Sequence, residues 1–234
     1  AAIIIEGARY DLANPDFLKA VRKVASDKKA ILIIDEISSG WRSCLGGVYH
    51  TYDNFTPDIV VYGKALGNGY AISAVVGKKN VMNAAETTFI SSTFWTERVG
   101  FVAALETINQ LEEKCVSDHI NRIGQYISDA WKEIFKEFEI DAQVTEYLPL
   151  ITFKMNYGEK NSQIITFITQ EMLKNGYLAC ASIYLSYAHT QKIVDNYLHE
   201  FRKVIYNLSR LLKSSTLEVF LVSRAKEEGF ARLT

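Results

Sequence analysis

Ala30-Ile31-Leu32-Ile33-Ile34-Asp35-Glu36 and, further on, Pro57-Asp58-Ile59-Val60-Val61-Tyr62-Gly63-Lys64 decide how this chain is read. Each holds a short apolar run without polar alternation, the mark of a strand covered on both faces and so of a parallel sheet in an α/β protein. The first run ends at once in Asp35-Glu36, the second in Gly63-Lys64. In open α/β sheets the carboxyl ends of such strands form the ligand crevice. Nineteen residues, Ser39 to Pro57, separate the runs, enough for the crossover that parallel neighbours require. Asp35 and Lys64 are therefore expected at one crevice.

Upstream, residues 2–5 read as another buried strand, and Pro15 opens a helix with Phe17, Leu18, Val21 and Val24 at helical spacing up to Asp27. Downstream, the connection from Lys64 to Tyr70 is too short for a parallel crossover, so a strand over 72–76 is expected to run antiparallel. A hydroxyl-rich turn, Ser91 to Thr96, precedes a helix predicted over 97–113 with Phe101, Leu105, Ile108 and Leu111 on one face. A second helix is predicted over 118–138, striped by Ile120, Ile123, Ile127, Trp131, Ile134 and Phe138. From about Ile140 the pattern becomes strand, helix, strand, helix over 150–155, 162–174, 181–187 and 192–212. This is a small α+β unit after a larger α/β one. The expected domains are 1–139 and 140–234; the stretch 216–234 gives no assignment.

The 234 residues, 48% of them hydrophobic, suffice for a sizeable core. A net charge of -1 from 26 basic and 27 acidic residues gives no field for nucleic acid or an anionic membrane. Neither partner is expected. No apolar stretch approaches the roughly 18 residues of a membrane span, and the amino end lacks a signal-peptide pattern. Cys44, Cys115 and Cys180 are odd in number and far apart, without metal-ligand spacing, which fits a reducing, cytoplasmic setting and no metal.

Singly, these residues are ordinary. A lysine after a strand is usually solvated, Asp35-Glu36 could cap a turn, and Gly67-Asn68-Gly69 could only supply positive φ. Gly63-Lys64 is not a nucleotide P-loop, because GxxxxGK[ST] is absent. Together, an acid and a lysine at one sheet edge with a hydroxyl-rich helix start downstream match the needs of pyridoxal 5'-phosphate (PLP): an amine, an acid for the ring nitrogen, and phosphate donors.

Asp35-Glu36-Ile37-Ser38-Ser39-Gly40-Trp41-Arg42, Thr56-Pro57-Asp58-Ile59-Val60 and Gly63-Lys64-Ala65-Leu66-Gly67-Asn68-Gly69 resemble the signature of class III PLP-dependent aminotransferases. Ser92-Thr93-Phe94-Trp95-Thr96-Glu97-Arg98, Ser186-Tyr187-Ala188-His189-Thr190 and Gly229-Phe230-Ala231-Arg232-Leu233-Thr234 resemble its glutamate-1-semialdehyde 2,1-aminomutase-like branch. The resemblance runs from about Ile3 to Thr234. It implies an α/β fold of type I, aspartate aminotransferase-like, with a partial large domain and a C-terminal α+β small domain, acting as a homodimer on a small-molecule amino donor and a carbonyl acceptor. It also implies amino-terminal truncation, since that part of the family normally supplies the main phosphate cup. An inactive fragment is therefore one reading of the chain.

Carried over residue by residue, the resemblance implies that Lys64 forms the Schiff base and shuttles the proton, while Asp35 keeps the pyridine nitrogen protonated. A charge pair at about 4 Å and an effective dielectric near 20 is worth roughly 4 kcal/mol, enough to decide that protonation near neutrality. Ile37, two residues on, is expected by strand alternation on the same face, against the ring. Thr93 matches the threonine that reaches the partner subunit's cofactor phosphate. Ser38 stands where many members carry Gln near the phenolic oxygen, and Glu6-Gly7 where Glu-Pro is common. Arg42 and Glu97 receive no chemical role; ion pairs are the default for both. His189 is expected at the start of a helix. Aminotransferase and aminomutase share all of these residues.

Overall fold

The structure is a computed structural model that describes residues 1–9, 11–91 and 93–226. Ser92 and the closing Gly229 to Thr234, quoted above for the resemblance, lie outside the described residues. The chain forms two compact units, Ala1–Asn121 and Arg122–Thr234.

The first unit is built on a four-stranded sheet in the order β1 (Ala2–Glu6), β2 (Ile31–Asp35), β3 (Ile59–Tyr62), β4 (Ala74–Gly77). β1, β2 and β3 run parallel, and β4 returns antiparallel, as the short connection requires. Helix α1 (Pro15–Asp27) is capped by Asn14, whose side chain accepts from the amides of Asp16 and Phe17. It buries Leu18 and Ala25, with Val21 partly covered, against Leu32, Ile34 and Phe55. Phe17 and Val24, expected on that face, point out. After the short α2 (Lys79–Met82) comes α3 (Arg98–Glu113), and here the expected stripe holds only in its second half: Ile108 and Leu111 are partly covered, Phe101 and Leu105 are exposed, and the buried positions are Gly100 and Ala104. The helix approaches too closely for large side chains. A Cβ on Gly100 would lie 3.0 Å from the Ala71 carbonyl oxygen.

Burial also differs between the faces of this sheet. Leu32, Ile34, Val60 and Tyr62 are buried on one side, whereas on the other Ile33 and Val61 are half-buried and Ile4 and Val75 exposed. Two-sided burial is thus not what the described residues show.

The second unit holds the three-stranded antiparallel sheet β5 (Ala142–Val144), β6 (Leu150–Met155), β7 (Ser182–Tyr184), with α5 (Asn161–Lys174) and α6 (Gln191–Ser214). The division between the units falls inside α4 (Val116–Glu137), ahead of the expected boundary at 139/140. From Ile123 onward the stripe of this helix serves the second core, where Trp131 meets Phe153 at 4.9 Å and Phe201 at 5.8 Å between ring centroids. No helix among the described residues is long and apolar enough to cross a membrane.

Asp58, just before β3, ties the first unit together. Its carboxylate accepts from Arg22 of α1 at 2.9 Å, from the Leu32 amide of β2 at 2.8 Å and from Lys78 after β4 at 2.8 Å. Burial alone would raise the carboxyl; the bonds from Lys78, the Leu32 amide and Arg22 outweigh it and hold it at about 2. A carboxyl depressed from 3.8 in the unfolded chain to about 2 in the folded one stabilises the fold above pH 3.8, and that stabilisation is lost as pH falls through 2. It amounts to about 2 kcal/mol. Asp58→Asn should therefore lower the urea unfolding free energy at pH 6, and the gap from wild type should close toward pH 2. A gap independent of pH would contradict the account.

Candidate functional site

β2 and β3 are parallel neighbours with Asp35 level with Val61, so their carboxyl ends open at the same sheet edge. The strand stops at Asp35 and a turn begins at Ile37. Asp35 Oδ1 accepts the Ile37 amide at 2.8 Å, and no donor among the described residues takes Oδ2. This local bond, rather than the pleat, sets Ile37; the alternation expected for it ends with the strand. The Ile37 side chain still lies along the approach to Lys64, since a Cβ on Gly63 would sit 3.5 Å from Ile37 Cγ2.

Lys64 itself is left-handed, φ +43°, a conformation that costs a residue with a Cβ on the order of 1 kcal/mol. Three amide bonds hold it there: Leu66 N–H donates to the Gly63 carbonyl at 3.0 Å, and Gly67 and Asn68 donate to the Lys64 carbonyl at 3.1 and 3.2 Å. Its side chain reaches back over the turn, and Nζ donates to Ser38 Oγ at 2.6 Å. Arg42 fixes Ser38 from the other side, Nε donating to the Ser38 carbonyl at 2.9 Å. That is a role the sequence did not suggest for Arg42.

Asp35, Ile37, Ser38 and Lys64 are thus brought together. Thr93 lies exposed in the turn before α3 and makes no hydrogen bond to them. Glu97 is the N-cap of α3 without a side-chain capping bond. His189 stands in the second unit just before α6, with Nδ1 accepting the Ser186 amide at 3.1 Å, a helix-start position as expected.

Sequence reasoning missed Glu36. It is fully buried, takes the Ser39 hydroxyl on Oε2 and accepts the Tyr49 amide on Oε1 at 3.0 Å. The signal was available: Leu32, Ile34 and Glu36 share one face by alternation, which sets Glu36 on the buried side and Asp35 on the other. Burial pushes the Glu36 carboxyl up, against the pull of Ser39 and the Tyr49 and Val48 amides. Nearby Tyr62 is likewise raised by burial, then by Tyr49.

Chemically, the strand ends offer one primary amine and one carboxylate with an uncommitted oxygen. These fit a ligand that carries an aldehyde and a ring nitrogen. Among the described residues no group of three His, Cys, Asp or Glu could hold a metal ion.

Comparisons agree with this chemistry. A family model described as aminotransferase class-III matches residues 1–201. The 3-aminobutyryl-CoA aminotransferase of Cloacimonas acidaminovorans is 32% identical over 211 residues, 88% of this chain and 51% of that protein. A glutamate-1-semialdehyde 2,1-aminomutase of Clostridium botulinum is 26% identical over 229 residues, 88% of this chain and 53% of that protein. Among solved structures, the PLP internal aldimine form of the Sphingopyxis sp. MTA144 FumI protein superposes with a TM-score of 0.84 at 22% identity, covering 91% of this chain and 53% of that one. The fold is therefore that of the PLP-dependent transaminases of type I. The chain spans about half the length of the curated relatives it matches.

The turn behind Lys64 is tested by substitution. A Cβ on Gly67 would lie 2.1 Å from the Tyr70 carbonyl oxygen, so Gly67→Ala should lower stability by about 2 kcal/mol or more. Asn68, at φ +45°, should accept Gly within about 0.5 kcal/mol. Chemical denaturation of the two variants measures both; equal effects would refute the steric account.

Proposed function

This chain belongs to the class-III aminotransferases, and on that premise we propose that the complete protein is a PLP-dependent enzyme moving an amino group from a small-molecule donor to a carbonyl acceptor. The observation that carries this is the lysine amine 2.6 Å from Ser38 Oγ, at the same sheet edge as a strand-end carboxylate that keeps one oxygen uncommitted. Bound there, the cofactor supplies an electron sink for the carbon that loses its proton.

The chain's own residues do the rest. Lys64 Nζ would hold the cofactor's aldehyde carbon and, once free, would carry the proton lost from the substrate's amine-bearing carbon. Asp35 holds the ring nitrogen's proton through its free oxygen. Ile37 would pack against the ring, and Ser38, which receives the Lys64 amine, would stand on the phenolic-oxygen side with a weaker contact than the Gln common at that position. Thr93 reaches the cofactor phosphate of the partner subunit in a homodimer, a reading supported by exposed Phe94, Trp95, Val102 and Leu105. The first unit reads as the C-terminal part of the large cofactor domain and the second as the small domain. A cytoplasmic location belongs to the same reading, in keeping with three free thiols.

A second reading is intramolecular transfer of the glutamate-1-semialdehyde 2,1-aminomutase type, favoured by the relatives of that name. The two separate in a cuvette. Given an amino donor alone, a transaminase leaves the cofactor in its amine form until a carbonyl acceptor is added, whereas a mutase given an amino aldehyde restores the starting spectrum unaided, because that substrate carries its own carbonyl acceptor.

The complete protein mixed with PLP should show an absorption band in the visible region, and Lys64→Ala should abolish it. A band that survives this substitution sinks the assignment. Asp35→Asn should keep the band but lose turnover by about 100-fold or more; near-normal turnover would remove Asp35 from the mechanism. A band given by the complete protein and not by the chain alone would mean that this chain is an inactive part of the enzyme.

A further inference from the structure

We infer that Glu36 is a positioning residue: its carboxylate staples both ends of the loop from Ile37 to Tyr49 and thereby holds the Ser38 hydroxyl against the Lys64 amine. The inference rests on the reading of Lys64 as the imine-forming lysine, and it adds a residue to which neither the motif nor the fold assigns a task.

One carboxylate takes donors from the two extremities of the loop. Oε2 receives the Ser39 hydroxyl, next in chain to Ser38, and Oε1 receives the Tyr49 amide at 3.0 Å, thirteen residues away. The backbone of Glu36 completes the anchor. Its amide donates to the Val61 carbonyl of β3 at 2.9 Å, and its carbonyl accepts the Gly40 amide at 2.8 Å. The space around the carboxylate is equally constrained. A Cβ on Gly47 would lie 3.0 Å from Oε1, and one on Gly7 3.3 Å, so glycines admit the acid from the loop side and from the end of β1. A fully buried carboxyl group is expensive, and an apolar side chain of that volume would serve a core better. What it cannot do is accept hydrogen bonds from both loop ends at once. Since Ser38 is held at its carbonyl by Arg42 and through its chain neighbour by Glu36, its hydroxyl has a fixed station, 2.6 Å from Lys64 Nζ.

The test reads Lys64 directly. The complete protein, with Lys64 free of cofactor, is labelled by formaldehyde and cyanoborohydride, and modification of Lys64 is measured by mass spectrometry relative to exposed Lys79. Ser38→Ala, Ser39→Ala and Glu36→Ala should each raise the Lys64 to Lys79 ratio by about threefold or more, as expected for an amine freed from one hydrogen bond. Glu36→Gln should stay within about 1.5-fold of wild type, because its carbonyl can accept from Tyr49 while its amide donates to Ser39 Oγ. The double variant Glu36→Ala, Ser38→Ala should not exceed Ser38→Ala alone, the sign of two residues acting through one contact. General loosening of the loop would instead make the two effects multiply, and would overturn the inference, as would a folded Glu36→Ala with the wild-type ratio. Should Glu36→Ala fail to fold, Ser39→Ala and its combination with Ser38→Ala decide between the same two outcomes. A wild-type protein that shows no visible band with PLP would defeat the proposed function, while this labelling comparison would still stand or fall by itself.

Discussion

Everything at the carboxyl edge of the first sheet depends on a carboxylate at the opposite end. Asp58, its side chain 12% exposed, binds α1 through Arg22, β2 through the Leu32 amide and the segment after β4 through Lys78. Parallel strands have no hairpin to set their relative height. Fixing the start of β3 against the second residue of β2 sets it instead, and because both strands are short it fixes where they end as well. The ion pairs here are not interchangeable with surface ones. Two cations and an amide satisfy a carboxylate largely removed from water, the geometry in which attraction exceeds the loss of hydration.

At the upper edge, two adjacent acids do opposite jobs because the pleat sends them to opposite faces. Asp35 is half-buried, spends one oxygen on the Ile37 amide and leaves the other uncommitted among the described residues. Glu36 is enclosed and spends both oxygens on the loop. The difference lies in surroundings rather than residue type. A group meant to meet a ligand must retain unsatisfied capacity near solvent, whereas one meant to hold structure must be saturated, since a buried acceptor left without a donor is destabilising.

How much of this could be read from the letters depends on the physical range of each signal. Strands β1 to β3 were legible from uninterrupted apolar runs, and the reversed sense of β4 from the length of its connection. That Asp35, last in β2, and Lys64, two residues past β3, share one sheet edge was legible because both apolar runs stop there. Ile37 was placed in the right neighbourhood for the wrong reason, since periodicity says nothing about the residue at which a strand stops. The packing face of α3 was misjudged because apolar spacing marks large side chains, while Gly100 and Ala104 act by being small. Three-residue β5, with exposed Gln143 at its centre, carries too little pattern to be seen at all. Asp58 was quoted as part of a motif, yet its partners lie 20 to 36 positions away, beyond the reach of any local rule.

The left-handed turn at Lys64 has a mechanical corollary. With its own carbonyl and the preceding one engaged by three amides, the α-carbon is a fixed post, and the amine travels only as a jointed arm of four methylenes. Staggered torsions give such an arm a discrete set of stopping points rather than a continuous sweep. One stop is occupied by the Ser38 hydroxyl. Any evolutionary adjustment of where that arm rests must therefore be made at its far end, in the loop that receives it, because the post cannot be moved without dismantling the turn.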